Sequence, residues 1–178
     1  TLGLAEEEPV VYHGDVKGAY IKSRLKGRPV YARVKDNLWF PRWKQQAAQR
    51  GGFKTPVTRV HRPLYGMERS DKDWGDHRSQ QPKKANWTQV SKSVFTKFFG
   101  VKDKGRLLIV RAGIYVDDCL ITGNGKAGSL AYLELHQVLG FPKPTPQVAT
   151  IYLGTRLSSI DTVRFDGYLY HKMFLSQE

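Results

Sequence analysis

An acidic pair between two apolar arms, in the stretch IYVDDCLI at residues 114–121, is the feature that most constrains the fold of this chain. Side chains alternate between the two faces of a strand, so the arms predict two sheet strands that meet at Asp117 and Asp118. Asp is a common turn residue because its carboxylate hydrogen-bonds nearby backbone amides, which makes a simple hairpin tip one interpretation. The other is a cation site, since two like charges on a tight turn repel unless a hard divalent cation such as Mg²⁺ or Mn²⁺ neutralises them. A third carboxylate elsewhere in the chain would favour the second interpretation.

The size and charge of the chain limit the class of protein it can be and the partners it can bind. With 178 residues, 40% of them hydrophobic, the sequence predicts a single globular domain over residues 1–178. The 29 Lys and Arg residues outnumber the 16 Asp and Glu residues, for a net charge of +13, so the surface attracts polyanions. Nucleic acid is therefore the first candidate partner, and an anionic membrane surface is the alternative that charge alone leaves open.

Cysteine usage and hydropathy predict an intracellular protein, in the cytoplasm or the nucleus. The single Cys119 excludes an internal disulfide and a Cys-rich zinc site, and its apolar neighbours predict a buried thiol. No run of residues approaches the length of a membrane span. The N-terminal stretch TLGLAEEEPV lacks the basic and apolar blocks of a signal peptide, so we expect no membrane partner.

The N-terminal half carries a carboxylate at the predicted end of a strand. A β-rich segment at residues 10–12 leads to Asp15, after which a turn is predicted. Residues 27–34 predict a second short strand, and a helix carrying Trp74 is expected farther on. Aromatic and basic residues interleave over residues 36–54, which suits either stacking on bases or amphipathic packing on a small core.

The C-terminal half predicts strands on both sides of one helix. The helix follows the second apolar arm, with Ser129 as its N-cap and Gly140 at its end. Its apolar stripe is expected to consist of Leu130, Leu133, Val138 and Leu139. Ahead of the arms, one shared apolar face is expected for Val94, Phe95, Phe98 and Phe99. Residues 148–160 predict a later strand that pairs with residues 163–171.

The order of these elements predicts an α+β domain with helices on one face of an antiparallel sheet, the ferredoxin-like split βαβ arrangement. In that arrangement Asp15 and Asp117 lie at the ends of neighbouring central strands, so Asp15, Asp117 and Asp118 converge. Three such carboxylates would hold two divalent ions, one activating an attacking hydroxyl and the other stabilising a leaving pyrophosphate oxygen. The alternative, a turn cap at Asp15 and a turn pair at residues 117 and 118, stays open.

Five stretches of the sequence resemble, in order, successive blocks of one protein family. They read GDVKGAYIKSRLKGRPVYARV, HRPLYGMERSDKDWG, IYVDDCLITGN, YLGTRL and GYLYHKMFLSQE. The family is the reverse transcriptase of copia-type LTR retrotransposons. The stretches resemble its Asp-Val-x-x-Ala-aromatic block, its Leu-Tyr-Gly-Leu block with a trailing Trp, its Tyr-Val-Asp-Asp box, its Leu-Gly segment and its closing Gly-x-x-Leu-Ser-Gln stretch. The resemblance extends from about Val10 to the last residue and implies a polymerase palm fold.

The resemblance implies roles for individual residues. Asp15, Asp117 and Asp118 would be the catalytic, metal-binding carboxylates, with two Mg²⁺ or Mn²⁺ ions as cofactors. The implied substrate-binding residues are Tyr20, which would exclude a ribose 2′-hydroxyl, Tyr115 and Val116 beside the primer terminus, and Tyr65, Gly66 and Met67 on the template side.

The implied activity is RNA-directed DNA polymerisation, in which a dNTP transfers its nucleotidyl group to a primer 3′-hydroxyl. The implied partners are an RNA or DNA template-primer, the dNTP and the rest of a Pol polyprotein. By the same resemblance we expect the fingers to be largely missing upstream of Val10, and the thumb and RNase H segments to be absent. One alternative is a truncated, catalytically inactive transposon remnant that binds nucleic acid through its basic surface. An unrelated ferredoxin-like RNA-binding module is a second, although the chain lacks the aromatic signature of that class.

Overall fold

The computed structural model describes residues 9–49, 57–103, 106–165 and 168–176. Strands and helices both occur in these ranges, so the expected α+β class is confirmed. The strands are β1 (Pro9–Asp15), β2 (Val30–Arg33), β3 (Val57–Val60), β4 (Thr88–Gln89), β5 (Val94–Asp103), β6 (Arg106–Tyr115), β7 (Asp118–Asn124), β8 (Gln147–Val148), β9 (Ile151–Tyr152), β10 (Thr155–Phe165) and β11 (Tyr168–Ser176). The α-helices are α1 (Ala19–Lys22), α2 (Pro41–Gln49), α3 (Ser70–Lys84) and α4 (Gly125–Leu139). No helix in the described ranges is long and apolar enough to cross a membrane.

The chain divides into two compact units. Unit 1 comprises residues 1–19 and 75–178, and unit 2 comprises residues 20–74. The predicted helix that carries Trp74 is α3, and the Trp74 side chain is buried. The single domain expected from chain length stays a prediction.

Unit 1 contains a six-stranded antiparallel sheet in the order β4-β5-β6-β7-β1-β8. The two apolar arms of the acidic stretch are therefore adjacent strands, β6 and β7, as the alternating pattern predicts. Strand β1 lies on the other side of β7, so the two strands that carry the predicted carboxylates are neighbours. A separate three-stranded sheet follows in the order β11-β10-β9, in which β10 pairs with β11. The strand predicted over residues 148–160 is divided among β8, β9 and the first half of β10, and residues 163–165 of its predicted partner belong to β10 itself.

Helix α4 packs on one face of the large sheet, against β1, β6 and β7. Gly128 lies so close to Val10 that a methyl group at this position would collide with the Val10 side chain. The ring of Tyr132 meets the ring of Tyr12 edge to face at a centroid distance of 6.1 Å. On the opposite face, Val11 and Leu120 form a small cluster with Ala149, against which Tyr152 and Leu157 pack. The two faces of β1 therefore have different surroundings.

The start of α4 differs from the predicted one. Asn124 is the N-cap, since its side-chain oxygen accepts a hydrogen bond of 3.1 Å from the Lys126 N–H. Ser129, the expected cap, lies inside the helix and donates its hydroxyl to the Gly125 carbonyl. The predicted end is confirmed: Gly140 has φ 76°, a left-handed conformation that glycine adopts without a Cβ clash.

The buried stripe of α4 also differs from the expected leucine stripe. Leu139 is buried, but Leu130 and Leu133 are 45% and 41% exposed. Half of the buried residues of α4 are small, namely Ala127, Gly128 and Ala131, and the others are Tyr132, Leu135 and Leu139. Small side chains let the helix backbone approach the sheet closely, and this close approach decides which face of the helix is buried.

The four apolar residues expected to share one face belong to strand β5 and do not share a face. Phe95 and Phe99 are buried, whereas Phe98 is 60% exposed. Successive side chains of a strand point to opposite faces, so Phe98 cannot join its neighbours in the core. Pairing of β5 with β6, with Phe95 opposite Ala112, overrides the helix-like spacing of the sequence.

Unit 2 contains the antiparallel two-stranded sheet β2–β3 and the helix α2. The short strand predicted within residues 27–34 is β2. Few apolar side chains are buried in the described part of this unit, and polar ones take part in its interior. Ser70 and Asp73 are both buried, and Asp73 accepts a hydrogen bond of 3.1 Å from the Lys26 N–H.

Candidate functional site

The acidic pair lies at the tight connection between β6 and β7. Strand β6 ends at Tyr115 and β7 begins at Asp118, so Val116 and Asp117 alone form the turn. Val116 has φ 47°, a left-handed conformation that is rare and strained for a β-branched residue. The Val16 N–H donates a hydrogen bond of 2.8 Å to the Asp117 carbonyl, which fastens the turn to the end of β1.

Strand register brings two of the three predicted carboxylates together. Asp15 lies directly opposite Asp118 in the β1–β7 ladder, although the two are about a hundred residues apart in sequence. Residues directly opposite each other point to the same face and have Cβ atoms about 4.5–5.5 Å apart. Like charges in such a pair destabilise the sheet. Folding of the two strands does not require carboxylates at these positions, so the repulsion between them lowers the stability of the sheet without a structural benefit.

His13 is a neighbour of the acidic pair that the sequence did not reveal. Its Nε2 atom lies 3.0 Å from Oδ1 of Asp118, and both side chains are about 30% exposed. His13 precedes Asp15 by two residues on the same strand, so the two side chains point to the same face. The alternation of side chains along β1 could have shown that His13 shares a face with Asp15. No sequence signal indicated its contact with Asp118.

The third carboxylate, Asp117, lies in the turn and is exposed. Within the described ranges, no three His, Cys, Asp or Glu side chains form a group that could hold a metal ion. The structure therefore pairs Asp15 with Asp118 but does not gather all three carboxylates into one cluster. The chemistry of the set still suits a hard divalent cation, since each of the three side chains offers carboxylate oxygens.

Two side chains, the buried Arg78 and the half-buried Tyr152, hydrogen-bond to β6 immediately before the acidic turn. Arg78 of α3 donates from Nη1 to the Ile114 carbonyl at 2.5 Å, and the Tyr152 hydroxyl donates to the Gly113 carbonyl at 3.5 Å. Burial lowers the pKa of the Arg78 guanidinium. Burial, together with the nearby Cys119 thiol and Asp118 carboxylate, raises the pKa of Tyr152 to about 12. The phenol of Tyr152 is therefore a neutral donor at ordinary pH.

Cys119 follows the acidic pair on the covered face of the sheet. It lies opposite Gly14, against which the Phe141 ring packs, and it is fully buried, as the sequence predicted. Burial raises the pKa of its thiol far above the ordinary value, an effect that the nearby Arg78 charge opposes. The neutral thiol is a small hydrophobic side chain here rather than a nucleophile.

The predicted substrate-binding residues fall into two groups. Tyr115, which lies opposite Asp118 and is 55% exposed, and Val116 belong to the acidic hairpin in unit 1. Tyr20 and Tyr65 belong to unit 2, where their rings meet edge to face at 5.8 Å. The Tyr20 hydroxyl donates to the carboxylate of Asp71.

Gly66 and Met67 form the turn that precedes α3. Gly66 has φ 83°, which only glycine adopts readily, and the Met67 N–H donates to the Leu64 carbonyl at 3.2 Å. A glycine at this turn keeps the backbone beside the exposed Tyr65 ring free of a side chain.

The aromatic and basic segment predicted at residues 36–54 contains α2, and residues 50–54 lie outside the described part of the chain. The Phe40 and Trp43 rings meet edge to face at 5.0 Å, and the Arg42 guanidinium lies 6.0 Å from the centre of the Phe40 ring. These side chains contact one another on an exposed surface, which is compatible with both interpretations of the segment.

No protein-family model, no curated protein and no solved structure matched this chain.

Proposed function

We propose that this chain is the palm portion of an RNA-directed DNA polymerase of the copia-type reverse transcriptase class. The observation that carries the proposal is the pairing of Asp15 with Asp118 at the end of β1, beside a strained two-residue turn that holds Asp117. A hairpin tip needs no carboxylate on the neighbouring strand. The pairing of like charges across two strands is explained when a cation neutralises them.

Asp15, Asp117 and Asp118 would hold two Mg²⁺ or Mn²⁺ ions. When bound, these ions would lower the pKa of the primer 3′-hydroxyl and neutralise the charge that develops on the leaving pyrophosphate. The protein's own contribution is to present Asp15 and Asp118 on two adjacent strands of one sheet, with Asp117 in the turn next to them. Rigid strands keep such groups at fixed separations more reliably than loops do.

Several contacts support a fixed position for the acidic turn. The hydrogen bond from the Val16 N–H fastens the Asp117 backbone, and Arg78 and Tyr152 fasten the strand that leads into the turn. His13 fixes one oxygen of Asp118 and so orients that carboxylate. Because phosphoryl transfer depends mainly on positioning and charge neutralisation, an immobile turn favours the reaction.

The remaining assignments follow the resemblance. Tyr115 and Val116 would lie beside the primer terminus, and Tyr65, Gly66 and Met67 would lie along the template. Tyr20 would exclude a ribose 2′-hydroxyl by steric contact, so the nucleotide selected is a deoxynucleotide. The hydrogen bond from Tyr20 to Asp71 supports this role because it restricts the ring to one orientation.

A second candidate function is nucleic-acid binding without catalysis, as expected of an inactive transposon remnant. One observation favours it: the described residues contain no group of three side chains that could hold a metal ion. In this case the net charge of +13 supplies affinity for phosphates, and the affinity falls steeply with salt.

Primer extension separates the two candidates. The purified chain is incubated with poly-rA, oligo-dT, dTTP and Mg²⁺ or Mn²⁺, beside its Asp117→Asn and Glu68→Gln variants. Glu68 is an exposed carboxylate in the turn before α3, so its substitution removes the same charge without touching the acidic hairpin. We expect extension by the parent and by Glu68→Gln, and a loss of at least about 100-fold in Asp117→Asn.

Equal extension by Asp117→Asn and the parent would contradict the metal-site assignment. An absence of extension in all three proteins, with salt-sensitive binding of the template-primer intact, would favour the inactive candidate.

A further inference from the structure

Unit 2 contains a cavity of about 440 Å³ beside the end of β3, and four arginines are among its lining residues. The four arginines are Arg24, Arg28, Arg59 and Arg62, and the other lining residues are Leu25, Gly27, Pro29, Val60 and His61. None of these lining residues is acidic. Four arginines around one cavity repel one another unless an anion enters it.

The walls of the cavity are fixed by backbone contacts. The Arg62 guanidinium donates from Nη1 to the carbonyls of Lys22 and Ser23, each at 3.1 Å. The Leu25 N–H donates to the His61 carbonyl, also at 3.1 Å. These bonds join the segment after α1 to the end of β3, so the cavity is built into the fold of unit 2.

The side chains of the three other arginines of the cavity do not join segments of unit 2 as Arg62 does. The side chains of Arg24, Arg28 and Arg59 are exposed and make no hydrogen bond or ion pair with the described part of the chain. Unit 2 as a whole contains 14 Lys and Arg residues and four Asp and Glu residues, a net charge of +10. The surplus of positive charge is therefore concentrated in this unit, and these arginines are available to an anionic ligand.

An exposed aromatic ring lies across the β2–β3 hairpin from one arginine of the cavity. Tyr31 of β2 lies directly opposite Arg59 of β3, so the two side chains are on the same face of the hairpin. Arg33 lies on that face too, two residues along the strand. Tyr31 is 60% exposed, which leaves its ring open for stacking. An aromatic ring beside arginines is the combination by which proteins hold unstacked bases and their phosphates.

We propose that the β2–β3 hairpin and its arginine-lined cavity bind single-stranded nucleic acid. Arg28 and Arg59 pair with phosphodiester groups, and Tyr31 stacks on a base. A single strand is favoured over a duplex because stacking on Tyr31 requires a base that is not already stacked inside a helix. The idea that this surface holds the template strand rests on the proposed function. Binding of single-stranded nucleic acid needs neither metal nor nucleotide, so it can be tested independently of catalysis.

The test measures binding of the full chain to a fluorescein-labelled oligo-dT of about 12 nucleotides by anisotropy, without metal or dNTP, over a range of salt concentrations. The Arg28→Gln/Arg59→Gln variant is compared with Lys83→Gln/Lys84→Gln, which loses the same charge from the exposed last turn of α3 in unit 1. We expect the first to raise Kd by about tenfold or more and to lower the slope of log Kd against log salt by about 1.4. The control raises Kd by less than about threefold.

A third variant, Tyr31→Ala, tests stacking separately from charge. It raises Kd for oligo-dT by about 5-fold to 150-fold with the salt slope unchanged, and it leaves the weaker binding of a duplex of the same length unaffected. Thermal unfolding of each variant checks that unit 2 remains folded.

Three outcomes overturn the proposal. Equal losses in the two double variants show that binding follows total charge rather than this surface. Equal affinity for duplex and single strand, with no effect of Tyr31→Ala, excludes stacking. Competition by tripolyphosphate as strong as by unlabelled oligo-dT at equal phosphate concentration assigns the cavity to small anions. Binding that is lost in Arg28→Gln/Arg59→Gln supports this inference even where the parent chain extends no primer, so the two proposals fail separately.

Discussion

The two units of the chain differ in how they are stabilised. Among the residues whose burial the structure describes, 22 hydrophobic ones are buried; twenty belong to unit 1, and the other two, Ala47 and Trp74, belong to unit 2. Charge is divided in the opposite way, with +10 of the net +13 in unit 2. Unit 1 is thus stabilised chiefly by burial of apolar area, whereas unit 2 depends on polar contacts such as those of Asp73 with Lys26 and Arg69.

This difference matches the two proposed tasks. A metal site needs carboxylates at fixed separations, and the packed sheet of unit 1 supplies them at Asp15 and Asp118. A surface that binds a flexible polyanion needs accessible cationic side chains more than it needs rigidity. Unit 2 has such side chains, and the repulsion among them lowers its stability. The stability of unit 2 is therefore expected to depend on its ligand more than that of unit 1 does.

Hydrogen exchange should show the largest difference between the units. Amides of the β6–β7 ladder are expected to exchange at least about 100-fold more slowly than those of the two-stranded β2–β3 ladder, because an isolated two-stranded sheet opens easily. Mass spectrometry of peptides from both ladders measures this. Equal protection of the two ladders would contradict the proposed difference in stability between the units. Slower exchange in β2–β3 alone after addition of oligo-dT would support ligand-dependent stability of unit 2.

Substitution of a close-packed glycine tests how tightly unit 1 is built. A methyl group at Gly14 would collide with the ring of Phe141, so Gly14→Ala is expected to destabilise the chain by about 1–3 kcal/mol. Gly75 lies inside α3 with open space where its Cβ would be, so Gly75→Ala is a matched control. The control is expected to stabilise the chain by about 0.5–1 kcal/mol, because alanine favours the helix. Urea unfolding measures both, and a harmless Gly14→Ala would show that the sheet and its cover are loosely packed.

The buried thiol of Cys119 gives unit 1 a modest dependence on pH. Burial raises its pKa in the folded state above the ordinary 9.0, so the folded chain holds this proton more tightly than the unfolded chain. Its contribution to stability is therefore complete below pH 9 and is lost as the pH rises above it, by at most about 1.4 kcal/mol per pH unit. The free energy of unfolding of Cys119→Ala should fall less steeply between pH 9 and 10.5 than that of the parent. Identical slopes would mean that the thiol is accessible to solvent.

Local signals in the sequence predicted a large part of unit 1. The alternation around the acidic pair predicted β6, the turn and β7, and the β-rich run before Asp15 predicted β1. Gly140 predicted the end of α4 because its backbone conformation depends on the residue itself. The predicted N-cap of α4, Ser129, was wrong. Asn124 and Ser129 are both good capping residues, and the residue at which β7 ends decides between them.

The candidate site was predicted only in part. Asp15 and Asp118 were expected to converge, and the register of β1 and β7 places them opposite each other. His13, Arg78 and Tyr152 were not expected, since each reaches the hairpin from another element of the chain. Contacts of this kind have no local pattern that a sequence could display.

The sequence by itself determined the strands on both sides of the acidic turn, the strand before Asp15, the excess of positive charge and the order of the motifs. These depend on the chemistry of neighbouring residues, which acts within a few positions along the chain. Only the tertiary structure decided the pairing of Asp15 with Asp118, the contact of His13 with that pair and the arginine-lined cavity. Register and side-chain partners between distant segments are fixed by the packing of the whole unit at once, so no single stretch of sequence contains them.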